Sequence, residues 1–139
     1  MIIATIQGAE EGFEHTTVIN GKLVKGKEEN EAINKLYEML PRLNINDDEG
    51  VIKAKNGYTL CYMKHEKKDI SNRRRTALII YNNEVTNDEI QKTLKLMGLD
   101  YEKWKELHSK YKTTTNVKTI TSIFAAIVIA FIIFYFINK

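Results

Sequence analysis

What most constrains this chain lies near its end: residues 120–137 read ITSIFAAIVIAFIIFYFI, 18 residues without a charge, with Thr121, Ser122 and Tyr135 as the polar side chains. As a helix rising ~1.5 Å per residue, the run would reach about 27 Å, close to the roughly 30 Å of hydrocarbon in a bilayer. A helix also satisfies its own backbone hydrogen bonds in lipid, which a lone strand cannot do. The sequence therefore predicts one transmembrane helix over 120–137. A buried core helix would need protein on every side, and the polar residues before it are too few and too charged to wrap it.

The remainder of the 139 residues is enough for one small domain. The expected division is a cytosolic domain over 1–111, a juxtamembrane linker over 112–119 and the anchor over 120–137. The amino terminus, MIIATIQGAEEG, has no basic n-region and turns acidic, unlike a secretory signal. Lys103, Lys105, Lys110, Lys112 and Lys118 precede the anchor and Lys139 follows it. The positive-inside rule then places the amino-terminal domain in the cytoplasm, as in a single-pass, tail-anchored protein. The lone Cys61 cannot form an internal disulfide, in keeping with a reducing compartment.

Formal net charge is +3, unevenly spread: residues 1–60 hold 7 basic and 10 acidic side chains, residues 61–119 hold 13 and 8. The basic half is the one beside the anchor. Anionic lipid headgroups attract such residues, although ordinary positive-inside bias produces the same asymmetry.

Residues 2–7 and 16–19 read as strands, and Asn20-Gly21 is a turn that folds 22–25 back as a third. Residues 28–40 follow helical spacing through Ala32, Ile33, Leu36, Tyr37 and Leu40, and Pro41 ends the run. Asn56-Gly57 is a second turn signal, between strands at 51–55 and 58–64. Residues 67–75 read as a charged loop, and TALIIY at 76–81, apolar on both faces, as a central strand. Thr86 and Glu89 form a capping box for a helix whose buried stripe is Ile90, Leu94 and Met97, with Gly98 as its stop. A further helix opens at Asp100 and gathers Tyr101, Trp104, Leu107, His108 and Tyr111 on one side. Strands followed by helices in this order predict an α+β domain: an antiparallel sheet of five or six strands with packed helices, plus the carboxy-terminal transmembrane helix.

Across about residues 36–97, the LYEMLP closing the first helix, the NGYTLCY hairpin, the basic stretch, the TALIIY strand and the helix after it resemble a longin domain. A carboxy-terminal anchor is also similar to longin-type membrane-trafficking proteins. Those proteins carry a long heptad segment between domain and anchor that this chain lacks. The resemblance thus implies a binding and regulatory platform that docks peptides, GTPases or its own chain, and no fusion activity.

No catalytic constellation assembles. Residues 21–28, GKLVKGKE, fit G-x-x-x-x-G-K, but Glu28 stands where Ser or Thr must bind Mg²⁺. The stretch HEKKD at 65–69 begins like a zinc-helix motif and has Asp69 in place of the second His. His15 lies near Glu10, Glu11 and Glu14, a grouping open to a metal or acid–base role but also ordinary for a solvated acidic loop. Cys61 lacks a His at a telling spacing. Neither a metal nor a cofactor is expected.

The densest functional signal in the domain is Lys64, His65, Lys67, Lys68, Arg73, Arg74 and Arg75. Of these, Lys67, Lys68, Arg73, Arg74 and Arg75 are the candidate anion or partner-binding residues, because guanidinium forks bind phosphate and carboxylate bidentately. Anionic lipid headgroups, an acidic or phosphorylated protein and a nucleotide signal fit that chemistry. Nucleic acid ranks last, since the stretch has no aromatic side chain on which bases could stack. In the anchor, Ser122, Ala126 and Ala130 recur every four residues and would let helix backbones approach closely, a route to a homo-oligomer.

Two functions follow as expectations. One is a non-enzymatic, tail-anchored membrane adaptor or regulator whose cytosolic domain binds a protein partner at the membrane surface. The other is a membrane-perturbing effector, of the defence or toxin type, triggered by a ligand or partner and acting through anchor oligomerisation.

Overall fold

The computed structural model describes residues 1–8, 15–41, 48–68 and 72–111. Its strands are β1 (Ile2–Ile6), β2 (Thr16–Ile19), β3 (Lys22–Val24), β4 (Gly50–Lys53), β5 (Thr59–Lys68) and β6 (Arg74–Tyr81). Its helices are α1 (Lys27–Met39), α2 (Asn87–Met97) and α3, residues 101–111. The strands form one antiparallel sheet in the order β3-β2-β1-β6-β5-β4. The α+β class and the six-stranded antiparallel sheet agree with the sequence reading, and β6, with TALIIY, is central as expected.

Alternation along the strands splits the core into two layers. Ile2, Ala4, Ile6, Val18, Cys61, Met63, Ala77 and Ile79 face α2 and α3, where Leu94, Met97, Leu99 and Trp104 meet them. Ile3, Val24 and Ile80 face the other way, onto Ala32, Leu36 and Met39 of α1. Both faces of β1 and β6 are therefore covered, which explains why those strands read as continuous apolar runs.

Both Asn-Gly pairs make the turns they signal. Asn20 and Gly21 have φ of 49° and 77°, Asn56 and Gly57 of 58° and 77°, the left-handed pair that a type I′ turn requires. The first links β2 and β3 directly through the Ile19–Lys22 pair. The second sits inside a wider loop, with Tyr58 N–H donating to Lys55 O at 3.1 Å and Ala54 N–H to Tyr58 O at 2.9 Å. At α2, Thr86 Oγ1 accepts the Glu89 N–H at 3.2 Å, and Gly98 closes the helix at φ 69°.

Two expectations need correction. Tyr37 is not on the buried stripe of α1: it is half exposed, and Met39, at the i+7 position from Ala32, takes the core place. The stretch 67–75 is not wholly a loop. Lys67 and Lys68 belong to β5, Arg74 and Arg75 to β6, and Lys68 pairs with Arg74 across the ladder. Charge alone made this stretch look irregular, whereas backbone pairing is indifferent to exposed side chains. Residues 112–119 and 120–137 lie outside the described residues. Among the described residues no helix is long and apolar enough to cross a membrane.

Candidate functional site

The five candidate cations converge on one end of the β5–β6 hairpin. Between the Lys64–Thr76 and Lys68–Arg74 pairs lie three residues of β5 and one of β6, so His65, Glu66 and Lys67 form a bulge. Two bonds from His65 hold it. Its Nδ1 accepts the Lys67 N–H at 3.0 Å, and its carbonyl oxygen accepts Arg74 Nε–H at 3.0 Å. Since Nδ1 is an acceptor, Nε2 carries the proton and donates to Met97 O at 3.1 Å, which ties the bulge to the end of α2. A Cβ at residue 98 would lie 2.8 Å from that Nε2, so Gly98 also admits the imidazole to the helix end.

Lys67, Lys68, Arg73 and Arg74 are exposed, and Arg75 is half-buried. Lys68 and Arg74 stand directly opposite one another, and like charges in that position repel across the 4.5–5.5 Å typical of facing side chains, a rough figure for antiparallel pairs. A cationic pair of this kind gains most from an anion between or above its members. Glu66 is an exposed carboxylate in the same bulge. Glu49 also lies within electrostatic reach of Arg74, but it is engaged elsewhere: its Oε2 meets Lys103 Nζ at 2.5 Å and accepts the Lys64 N–H at 3.1 Å. Burial pushes the Glu49 carboxyl up. Lys103, the Lys64 N–H and the Arg74 charge outweigh it, leaving the carboxyl below its ordinary value.

A second polar cluster pins α3. His108 Nδ1–H donates to Trp104 O at 2.8 Å, so Nε2 accepts the Tyr81 hydroxyl at 2.5 Å, and the imidazole stacks on Trp104 with centroids 4.0 Å apart. Burial pushes the Tyr81 phenol well up, which keeps its proton in this bond. These groups satisfy one another and fix α3 to the end of β6. Sequence reading found His108 on the packed face of α3 but not its bond to Tyr81, because that partner is remote in the chain.

The remaining motifs fall to structural roles. Residues 21–28 pass from the edge strand β3 into α1, whose first turn holds Glu28 and Glu29 where a phosphate would have to sit. His65 and Glu66 lie in a strand, and among the described residues no group of three His, Cys, Asp or Glu could hold a metal. His15 Nδ1 accepts the Gly8 N–H at 2.9 Å, while Glu10, Glu11 and Glu14 lie outside the described residues. Cys61 is buried, and burial pushes its thiol up, away from reactivity. A shallow 420 Å³ groove beside α2, lined by Asp88, Lys92, Lys95, Leu99 and Tyr101, is bridged by its own Asp88–Lys92 ion pair at 3.6 Å. Ser122, Ala126 and Ala130, the proposed packing face of the anchor, lie outside the described residues.

Fold and site together define an α+β domain with an antiparallel sheet, helices on both of its faces and a cationic hairpin end. Comparison of the chain with known protein families, curated proteins and solved structures finds no match.

Proposed function

We propose that the chain is a tail-anchored, non-enzymatic membrane adaptor or regulator whose cytosolic domain binds a protein partner at the membrane surface. The observation that carries this reading is the cationic end of the β5–β6 hairpin, with Lys68 and Arg74 directly opposed. Support for the anchor comes from the uncharged run over 120–137 and the lysines before it. The domain as a longin-like docking platform belongs to the same proposal, supported by the element order over residues 36–97. Enzymatic function is not part of it, because the titratable groups at hand serve packing: Cys61 is sealed in the core and Tyr81 and His108 are bonded to each other.

Two measurements on the full chain test the proposal. Membranes washed in alkaline carbonate should retain it, and its recovery in the wash would remove the anchor. Capture of partner proteins from a lysate by the membrane-bound chain should weaken when Arg73, Arg74 and Arg75 are replaced with Glu, and the difference should shrink as salt rises. Equal capture at low salt would leave the hairpin end without a binding role.

A further inference from the structure

The sheet has two cationic ends, and they face opposite ways. One is the hairpin end just described. The other is made of turns: Lys22 follows the Asn20-Gly21 turn, and Lys53 and Lys55 flank or enter the Asn56-Gly57 turn, all three exposed. Register places them at one end of the sheet, Lys22 on one edge strand and Lys53 on the other. Lys53 pairs with Thr59 and Thr59 with Tyr81, while Lys22 pairs with Ile19, Ile19 with Ile3, and Ile3 with Ile80.

The chain leaves the described domain at this second end. α3 starts near the hairpin half of the sheet, where Lys103 meets Glu49 beside Lys64. It finishes near the turns, where His108 bonds Tyr81. From the Thr59–Tyr81 pair to the Lys64–Thr76 pair is five residues, about 16 Å at ~3.3 Å per residue, and Lys68 and Arg74 stand beyond that.

We infer that the hairpin end receives an acidic, extended segment of a protein partner and not the bilayer surface. The inference rests on the tail-anchor reading. A helix entering the membrane after 112–119 would bring the turn end to the headgroups first, where Lys22, Lys53 and Lys55 already supply the charge that an anionic leaflet attracts. Bringing the hairpin end to the same lipid would tip the domain over and withdraw those three lysines. What the hairpin end meets instead comes from the aqueous side. Its two strands carry the exposed cations Lys68 and Arg74 in opposed positions, with Arg74 Nε bonded to the His65 carbonyl, which holds the guanidinium at the hairpin end. Carboxylates spaced along an extended chain can reach Lys68, Arg73 and Arg74 in succession.

The full chain is reconstituted into nanodiscs of phosphatidylcholine alone, or of phosphatidylcholine with phosphatidylserine, and titrated with a fluorescent oligoglutamate peptide at low and high salt. The expected result is equal peptide binding in both kinds of disc, weakened at least about tenfold in a Lys68→Glu, Arg73→Glu, Arg74→Glu variant and unchanged in a Lys22→Glu, Lys53→Glu, Lys55→Glu variant. Thermal melts of each variant, recorded by circular dichroism, verify that these exposed substitutions leave the fold intact. Loss of peptide binding in the phosphatidylserine discs would place the hairpin end on lipid and overturn the inference, leaving the anchor in place. Equal binding by wild type and the hairpin variant would overturn it as well. Protein that elutes apart from the discs would refute the tail-anchor reading itself, a failure visible before any peptide is added.

Discussion

At the scale of single residues, the charged groups that matter are those whose hydrogen bonds cross between elements. Glu49 sits just before β4 and reaches both the β5 backbone at Lys64 and the α3 side chain of Lys103, and the ion pair is largely buried, with Glu49 25% and Lys103 24% exposed. Its carboxyl is held below the ordinary value of 4.5. A depressed carboxylate stabilises the fold fully above its unfolded pKa, and the contribution disappears as pH falls through the folded value. Glu49→Gln should therefore cost about 1–2 kcal/mol at neutral pH, discounted for partial exposure, and progressively less as pH drops below the ordinary carboxylate range. Urea titrations of wild type and variant at neutral and acid pH measure the gap, and a gap independent of pH would mean that Glu49 acts through packing and not charge. His65 works across elements in the same way, since its three bonds join the bulge, Arg74 and the end of α2. Neither role shows in the sequence, where Glu49 follows Asp47 and Asp48 and His65 sits in a basic run.

Elements whose signals are local were legible; elements settled by remote pairing were not. Asn20-Gly21 and Asn56-Gly57 need only their own φ values to make a turn, and Thr86, Glu89 and Gly98 specify both ends of α2 within its own span. By contrast, nothing local in HEKK or RRR favours a strand. β5 and β6 continue there because Lys68 finds Arg74 and His65 finds Met97, contacts that exist only after the sheet has formed. Tyr37 fits helical spacing as well as Met39 does, and the position of the sheet, not the helix, decides that Met39 is buried and Tyr37 is not. Because the α2 cap is local, its energetics should be local too. Thr86→Ala removes the acceptor for the Glu89 N–H and should destabilise the domain by about 1 kcal/mol, whereas Thr86→Ser keeps the oxygen and should cost only a few tenths. Chemical denaturation of both variants measures this, and equal losses would show that the methyl group, and not the hydroxyl, is what α2 requires.

For the whole molecule, each face of the sheet has its helices among the described residues, α1 on one side and α2 with α3 on the other. Among the described residues no face of the sheet is left without a helix, which supports the proposal that residues 120–137 serve as an anchor. Whether the proposed anchor only tethers the domain or also brings copies together turns on helix packing in lipid. Hydrophobic burial gives little drive between helices already surrounded by hydrocarbon, so association depends on close approach of backbones, which Ser122, Ala126 and Ala130 would permit on one face. Leu at Ala126 or Ala130 keeps the run apolar and long enough to span, yet its bulk blocks that approach. Ile127→Leu alters a neighbouring position without a change of volume. Crosslinking of the full chain in native membranes should give oligomers in wild type and Ile127→Leu, reduced about tenfold, a difference of ~1.4 kcal/mol, in Ala126→Leu and Ala130→Leu. Oligomers in all of these chains alike would move self-association out of the anchor, and the membrane-perturbing alternative, which needs the anchor helices to meet, would lose its mechanical basis.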